Sequence, residues 1–221
     1  AITEKGKTAA ESMVFARYVM FSEVYWHHAV RAATAMLQRA FFLLREFLDL
    51  EQLFQLSEQP FIEMMSQAGE GKPVHQLWQG IFGVQRQLYK RIDQYSCLEN
   101  PGLYAALARR PYPWLVQCAE QLAHLLSESL GETVAEHEIL IDSPPVTLEV
   151  EFDLDVYLPR PQRYRRLGEI SPVLRTLAQE QFDDYVKRVR IFAHPRWLAR
   201  LESVENLSDL VSQAAERTDQ G

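Results

Sequence analysis

At the centre of the first predicted helix lies Arg17-Tyr18-Val19-Met20-Phe21-Ser22-Glu23-Val24-Tyr25-Trp26-His27-His28-Ala29-Val30-Arg31-Ala32-Ala33, the stretch that decides the fold. No glycine or proline occurs between Gly6 and Pro60, so we predict one long helix from about Thr8 to Leu50. Within about four turns this apolar helix carries Arg, Tyr, Trp and two His side chains, which need polar partners when they are buried. The stretch therefore predicts the wall of a functional site.

Composition limits the class of protein. The chain has 221 residues, of which 47% are hydrophobic and 24% are charged. That is enough for one good core, or for a helical body with a small appended subdomain. The formal net charge is −7. Because nonspecific binding to a nucleic-acid backbone requires clustered positive charge, we expect no nucleic-acid partner.

Cysteine usage and hydropathy bear on where the protein works. Cys97 and Cys118 are the two cysteines, and their spacing predicts neither a disulfide framework nor a zinc site, which favours a cytoplasmic protein. The most apolar windows, such as 40–44, are interrupted by charged residues well short of the ~20 residues that a membrane span needs. We therefore predict no association with a membrane. The chain begins with Ala1 rather than Met, and we expect a fragment of a longer protein.

Apolar periodicity divides the chain into a helical part and a mixed part. Up to Gly131, a natural helix C-cap, the spacing predicts four helices at about 8–50, 53–65, 74–95 and 114–130. Beyond Gly131 the period changes from about four to two. There we predict strands at 139–141, 148–156 and 189–192, a helix opened by Ser171 and Pro172, and a helical tail over 196–215 that then frays.

The predicted fold class is mainly α with a small α+β part. It is a helical bundle built on the long N-terminal helix, followed by a three- to four-stranded sheet with one or two helices. We predict a helical body over residues 1–135, a small α+β subdomain over 136–200, and a C-terminal helix with a frayed tail over 201–221. The chain contains no internal repeat.

The known catalytic signatures are missing from the sequence. None of the six histidines precedes an aspartate or forms a spaced ligand cluster with cysteine, so no metal site of a common kind is encoded. The sequence also lacks a Gly-rich phosphate loop and a G-x-S-x-G elbow. We therefore assign no catalytic residue and no metal ligand to this chain.

The first helix carries the best candidates for a binding site. At ~100° per residue, Arg17 and His28 project within about 20° of each other, with Phe21 and Tyr25 near the same face. The arginine could hold phosphate oxygens while Tyr25 or Trp26 packs on a base or sugar. The alternative is the commoner one for such residues: the aromatics belong to the core and the arginines form salt bridges.

Two other charged groups are weaker candidates. Arg86 and Lys90 are four residues apart on the predicted third helix and could clamp an anion, although most such pairs are simply solvated. The carboxylates from Glu149 to Asp155 could attract a cation. Alternating carboxylates are more often the solvent-exposed face of an edge strand.

Several motifs occur in an order that one known family shares. The first runs from Ala16 to Leu37 and includes Tyr25-Trp26-His27-His28; the others are Arg86 to Arg91, His137 to Pro144, Leu167 to Ser171, and Gln181-Phe182-Asp183 with Arg190-Ile191-Phe192. In this order they resemble HD-domain nucleotide phosphohydrolases. The similar members are bacterial enzymes akin to dGTP triphosphohydrolases and the vertebrate sterile-alpha-motif/HD dNTP triphosphohydrolase. The resemblance touches most of residues 7–200.

The resemblance implies a site for a nucleoside or deoxynucleoside triphosphate. Arg17 falls where the family places an arginine on the substrate triphosphate. Tyr25 falls where a tyrosine lies against the deoxyribose and base. Trp26 and His27 fall near the nucleotide or the neighbouring regulatory site. These four residues are the substrate-binding candidates.

The resemblance also implies an effector site at an oligomer interface, so we expect a homo-oligomer. Arg86 and Lys90 align with a basic pair that holds the phosphates of an activating nucleotide in effector-regulated relatives. His28 departs from the family pattern, since relatives usually have lysine at this position. A permanent cation is thus replaced by a side chain whose ordinary pKa is near 6.5.

The catalytic half of the family is not found in this sequence. Members hydrolyse nucleotides with a divalent metal (Mg, Mn, Fe or Ni) that is held by a His, a His-Asp pair and a later Asp, and we expect this set upstream of Ala1. The chain alone is therefore expected to hold no cofactor and to be inactive. One hypothesis makes it the C-terminal part of an HD-type phosphohydrolase, with substrate-positioning, regulatory and oligomerisation surfaces. The other makes it a noncatalytic regulatory or oligomerisation module.

Overall fold

The predicted fold class, mainly helical with a small β part, is confirmed by the computed structural model, which describes residues 1–144, 154–176 and 186–220. The helices are α1 (Lys7–Met20), α2 (His28–Leu44), α3 (Leu50–Leu53), α4 (Glu58–Gly69), α5 (Val74–Phe82), α6 (Pro101–Leu107), α7 (Tyr112–Leu130), α8 (Leu167–Ile170), α9 (Pro172–Thr176), α10 (Leu198–Leu201) and α11 (Leu207–Gln220). The strands are β1 (Ile2–Thr3), β2 (Lys90–Tyr95), β3 (Ile139–Asp142), β4 (Asp155–Leu158), β5 (Arg163–Arg166) and β6 (Val189–Ala193).

The prediction of one helix from Thr8 to Leu50 is wrong, because the chain breaks in the middle of the decisive stretch. A π turn over Phe21–Tyr25 follows α1, and His27 then adopts an extended conformation (φ −61°, ψ 136°) that caps α2. The break turns the indole of Trp26 inward, where it is 2% exposed. Burying a side chain of this size stabilises by roughly 2–3 kcal/mol, whereas each backbone hydrogen bond given up costs ~1 kcal/mol net.

The predicted third helix is also wrong in its second half. Helix α5 ends at Phe82, and the predicted helical residues 90–95 form β2 instead. The reason is tertiary: β2 pairs antiparallel with one edge of β6, and β3 pairs antiparallel with the other edge, in the order β2-β6-β3. Lys90 therefore lies on a strand, and Arg86 lies exposed in the connection between α5 and β2. The two do not share a helical face.

This sheet lies between two layers of helices. Ile139 and Ile141 of β3 pack with α7 and α11, whereas Leu140 packs with α2, α4 and α5 on the opposite face. The alternation is the ordinary period of two in a strand. It also places Asp142 and Arg190 on the face that α2 covers. Because β2 and β3 both pair with β6, residues on either side of the predicted boundary at 135 form one sheet; the domain boundaries stay a prediction.

Helix α7 and the strands β3 and β6 match the sequence predictions. Gly131 ends α7 in the left-handed conformation (φ 66°), as its prediction as a C-cap requires. The tail does not fray where predicted, because α11 continues to Gln220. Near its end Asp219 accepts hydrogen bonds from Arg110 Nη2 and Trp114 Nε1, both of 3.0 Å.

A second three-stranded sheet and a small hydrophobic cluster connect α1 to the rest of the protein. The strand order is β1-β4-β5, and Ala10 of α1 packs on Val156, Leu167 and Leu174. The predicted strand over 148–156, with its carboxylates, lies mostly outside the described residues. So does most of the helix that Ser171 and Pro172 were predicted to open, of which α9 is the described part. Within the described ranges, no helix combines the length and apolar composition that crossing a bilayer requires.

Replacing Gly80 with alanine is expected to destabilise the protein by about 1–3 kcal/mol, as overpacking does in cores. A Cβ at this position of α5 would lie 2.6 Å from Met36 Cε and 2.7 Å from Gln87 O. The backbone of Gln87 has little freedom to retreat, since its N–H donates to Gly80 O over 2.9 Å. Chemical denaturation measures the change in the free energy of unfolding.

The matched control is Gly102→Ala in α6. No atom lies within 4 Å of a Cβ built at Gly102. Alanine there is expected to leave the free energy of unfolding unchanged or to raise it by up to about 1 kcal/mol, because alanine favours helix over glycine. Equal effects of the two substitutions would contradict close packing of α2 and α5 at Gly80.

Candidate functional site

A cavity of about 640 Å³ opens where α1, the π turn and α2 meet. Its lining consists of Arg17, Met20, Phe21, Tyr25, Trp26 and Arg31. Three of the four predicted substrate-binding residues, Arg17, Tyr25 and Trp26, therefore share one cavity. The π turn is the cause, because its extra residue changes the direction in which the following side chains project, a device that often occurs at functional sites.

Arg17 and Tyr25 form the accessible side of the cavity. Both residues are exposed, with half of Tyr25 open to solvent. Phe21 lies between them: the Arg17 guanidinium carbon is 5.6 Å from its ring centroid, and the Tyr25 ring packs edge-on at 5.1 Å. The arrangement leaves one guanidinium and one aromatic face available to a ligand.

Trp26 forms the buried side of the cavity. The Arg31 guanidinium carbon lies 4.4 Å from the centroid of its ring, and that of Arg190 lies 5.8 Å away. Cation–π contacts of this kind stabilise by about 0.5–2 kcal/mol each. Trp26 therefore holds two cations in place, which agrees with the structural alternative for this residue and leaves stacking on a ligand to Tyr25.

A buried ion pair anchors these cations to the sheet. Arg31 donates from Nε to Asp142 Oδ2 over 2.9 Å and from Nη2 to Oδ1 over 2.5 Å. Asp142 ends β3 and faces Arg190 across the pairing with β6. Burial raises the pKa of Asp142, while Arg31 and Arg190 lower it. The bidentate geometry is that of an ionised carboxylate held by a guanidinium fork.

The guanidinium of Arg190 is incompletely hydrogen-bonded. It is 6% exposed, and within the described part of the chain its Nε and Nη1 atoms have no hydrogen-bond partner. Burial lowers its pKa to about 10, so it stays protonated at neutral pH. The part-buried guanidinium of Arg31 and the buried guanidinium of Arg190 both lie next to the carboxylate of Asp142. Guanidinium groups beside a cavity favour an anionic ligand.

The predicted effector residues are only partly brought together. The pKa of His28 is lowered, first by desolvation and then by the positive charges of His27, Arg91, Arg190 and Lys90. His28 and Lys90 therefore belong to one basic patch at the start of α2, and the His27 and His28 rings lie 4.2 Å apart. The exposed connection that carries Arg86 is a separate segment. At neutral pH the lowered pKa leaves His28 uncharged.

Sequence reasoning did not select Arg31, Asp142 or Arg190 as site residues. Two signals could have found them. Arg31 lies in the same decisive stretch as Arg17, and Asp142 is a charge that directly follows the fully apolar run 139–141. A charge at the end of a buried strand needs a partner. Among the described residues, no three His, Cys, Asp or Glu side chains lie close enough to hold a metal ion.

The architecture and site define a mainly helical domain with a central antiparallel sheet and a basic, aromatic-lined cavity. Residues 1–206 match the family described as the HD associated region, and the chain belongs to that family. The chain is therefore related to HD-domain proteins, which confirms that part of the prediction from its motifs.

The chain is also similar to two proteins from other organisms. The chain is 24% identical over 223 residues to an uncharacterized protein of Methanocaldococcus jannaschii, a match that covers 99% of this chain and 44% of the relative. It also resembles the crystal structure of a hypothetical protein from Aquifex aeolicus, with a TM-score of 0.53, 18% identity, and coverage of 92% of this chain and 46% of the other. The second likeness concerns the fold alone. The chain spans less than half the length of either relative.

Proposed function

We propose that this chain is the part of an HD-domain phosphohydrolase that positions the triphosphate of a nucleotide. The observation that carries the proposal is the joint placement of Arg17 and Tyr25 on one open cavity whose inner wall is positively charged. Arg17 would donate to phosphate oxygens, and the ring of Tyr25 would lie against the base or sugar. Membership of the HD associated region supports the choice of a phosphohydrolase.

The inner wall gives the cavity its selectivity for anions. Arg31, which lines the cavity, is held by the bidentate contact to Asp142, while Arg190 lies behind the lining, with its guanidinium carbon 5.8 Å from the centroid of the Trp26 ring. Preorganised cations of this kind bind phosphates without the entropic cost of ordering long side chains. A triphosphate satisfies such a wall better than an uncharged nucleoside does.

In this proposal the metal of HD proteins is held by other residues of the protein, and this chain contributes binding and orientation. Exposed apolar side chains on α1 and the π turn support a covered position beside a metal-bearing domain. They are Met13, Phe15, Val19 and Met20 of α1 and Val24 of the π turn, between 40% and 75% exposed. Large exposed apolar patches usually mark interfaces.

We also propose that the basic patch of His28 and Lys90 binds the phosphates of a second, regulatory nucleotide in a homo-oligomer. Arg86, in the exposed connection between α5 and β2, would contact the same phosphates. The patch lies next to the cavity rather than in it, which suits a regulatory role. The neutral state of His28 at pH 7 makes this affinity rise as the pH falls through its lowered pKa.

Replacing Arg17 with alanine is expected to weaken nucleotide binding by about 10- to 100-fold, the loss of a charge-assisted contact to phosphate. The measurement is a calorimetric titration of the intact protein with a deoxynucleoside triphosphate in EDTA, so that no turnover occurs. Arg200→Ala is the matched control, because Arg200 is exposed and pairs with Glu132 on another surface.

The same experiment distinguishes nucleotide positioning from the alternative function. The apolar surface of α1 favours a noncatalytic oligomerisation module as the second candidate. If Arg17→Ala leaves nucleotide affinity unchanged and alters only self-association in analytical ultracentrifugation, the nucleotide role is wrong and the module is favoured.

A further inference from the structure

A glutamine side chain bridges two histidines that lie on different elements of the fold. Gln76 belongs to the first turn of α5, His137 lies in the turn before β3, and His194 directly follows β6. One end of the Gln76 amide lies 3.0 Å from His137 Nε2, and the other end lies 2.9 Å from His194 Nε2. The bridge therefore joins α5 to two turns at one end of the central sheet.

The second ring nitrogen of His194 determines its tautomer. His194 Nδ1 accepts a hydrogen bond from Arg196 N over 3.2 Å and therefore carries no proton. A neutral imidazole has one N–H, so Nε2 must carry the proton and donate it toward Gln76. The ring is 7% exposed and packs edge-on against Tyr89, with 5.3 Å between the centroids. Packing thus holds His194 in the orientation that this hydrogen bond requires.

The tautomer of His194 determines which end of the Gln76 amide faces it. In the structure Gln76 Nε2 lies toward His194 and Oε1 toward His137, so two N–H donors would face each other at His194. The two ends of an amide have nearly the same shape and are assigned from their hydrogen-bond partners. The oxygen therefore belongs opposite His194, and the nitrogen donates to His137 Nε2. This makes His137 neutral, with its proton on Nδ1.

The resulting chain of hydrogen bonds has no place for another proton. It runs from Arg196 N–H to His194, from His194 to Gln76, and from Gln76 to His137. A proton added to His137 Nε2 would face the amide N–H groups, and turning the amide over would place these groups against His194 Nε2–H. A proton added to His194 Nδ1 would face Arg196 N–H. Each protonation therefore breaks one hydrogen bond of the chain.

The surroundings of the two rings favour their neutral forms. Desolvation lowers the pKa of His137 and of His194, and the charge of Arg196 acts in the same direction, although Glu138 opposes both. Charged and titratable groups come close to the rings from α2, α5 and its preceding turn, the residue before β2, and the turns beside β3 and β6. They are Arg39, Lys72, His75, Tyr89, Glu136, Glu138 and Arg196.

We infer that Gln76, His137 and His194 form a pH-sensitive latch between α5 and the central sheet. The latch is closed when both histidines are neutral, and it opens when either one is protonated. Solvent protons can reach it because Gln76 is exposed. His137 also lines two cavities, one bordered by α2 and α7 and one beside α5. Protonation of His137 therefore opens the latch and adds a positive charge to the walls of both cavities.

The direction of the pH dependence follows from the lowered pKa values of His137 and His194. The unfolded chain protonates these histidines near their ordinary pKa of 6.5, before the folded chain does. The stability that the latch contributes is therefore complete above about pH 6.5. It is lost as the pH falls through the lower pKa values of the folded state.

The test observes the imidazole nitrogens of the histidine-labelled chain by long-range ¹H–¹⁵N NMR. At neutral pH we expect the proton on Nε2 of His194 and on Nδ1 of His137. As the pH falls below 6.5, the backbone amides of residues 74–77 are expected to shift with the midpoint of a histidine titration. A proton on Nδ1 of neutral His194, or α5 amides that ignore the titration, would overturn the latch.

Gln76→Glu changes the chain in a predictable way. A carboxylate only accepts hydrogen bonds, so the proton of His137 is expected to move from Nδ1 to Nε2 and its pKa to rise above 6.5. The matched control is Gln213→Glu, which adds the same charge at an exposed position of α11, on the opposite face of the sheet from α5. This control is expected to leave both tautomers unchanged.

An unchanged His137 tautomer in Gln76→Glu, or the same change in Gln213→Glu, would also overturn the latch. The result does not depend on the proposed nucleotide site, because Gln76, His137 and His194 do not line that cavity.

Discussion

Replacing Asp142 with alanine is expected to destabilise the protein by about 3–5 kcal/mol, the usual cost of removing one partner of a buried ion pair. The carboxylate is 1% exposed and receives both donors of the Arg31 fork. Without it, the part-buried Arg31 and the buried Arg190 remain next to Trp26 and lose the counter-charge of Asp142. Urea denaturation of the wild type and the variant measures the difference in the free energy of unfolding.

The control for Asp142→Ala is Glu169→Ala. Glu169 pairs with Arg165 through side chains that are 50% and 40% exposed, and such surface pairs contribute about 0–1 kcal/mol. A loss below 1 kcal/mol in Asp142→Ala would mean that solvent reaches the two arginines. In that case the preorganised inner wall of the cavity would not exist.

Glu138→Ala is expected to destabilise the protein by about 2–4 kcal/mol, because it removes the carboxylate that accepts three hydrogen bonds and leaves shielded N–H donors unmet. The Glu138 carboxylate is 2% exposed and accepts hydrogen bonds from Arg196 Nη2 (2.6 Å), Trp197 Nε1 (2.9 Å) and Ala135 N (3.0 Å). These contacts hold the turn before β3 against the turn after β6. The alanine variant leaves the buried Trp197 Nε1–H and the part-buried Ala135 N–H without an acceptor.

The pH dependence gives Glu138 a distinctive signature. The three donors lower its pKa below the ordinary 4.5, although burial pushes the pKa upward. A lowered carboxyl pKa contributes stability above about pH 4.5, and this contribution is lost as the pH falls through the folded-state pKa. The difference between wild type and Glu138→Ala should therefore shrink as the pH falls below about 4.5.

Glu132→Ala is the matched control for Glu138. Glu132 pairs with Arg200 on the surface, where the side chains are 49% and 53% exposed. We expect a change of at most about 1 kcal/mol for this control, and one that salt reduces. A Glu138 variant as mild as the Glu132 variant would show that the buried network does not join the two turns.

The parts of the fold that sequence predicted are those with a clear local pattern. Helix α7 has a continuous apolar stripe with a glycine cap, and β3 is a short, wholly apolar run; both were predicted correctly. Strand β2 was predicted as helix because Lys90–Tyr95 has no period that separates the two states. The strand forms because it pairs with β6, almost 100 residues later in the chain. Local sequence propensity cannot predict a pairing over that distance.

The candidate site likewise has a part that the local sequence predicts and a part that depends on tertiary packing. Arg17, Tyr25 and Trp26 are close in the sequence, and their common cavity follows from one local turn. The break at Trp26 was missed because no glycine or proline marks it; burial of the indole against arginines from other elements causes it. Arg31 and Asp142 are 111 residues apart, so their ion pair depends on the packing of α2 on the sheet.

The central claim is that the cavity at the junction of α1 and α2 positions a nucleotide for an HD-domain phosphohydrolase. Its most direct test is hydrolysis of the four deoxynucleoside triphosphates, with Mn²⁺, by the longer protein of which this chain is expected to be a part, with wild type and Arg17→Ala measured side by side. We predict hydrolysis by the wild type and a loss in kcat/KM of about 100-fold in the variant, as expected for removing a preorganised donor. Equal activity in both proteins, or no hydrolysis by the wild type, would contradict the claim.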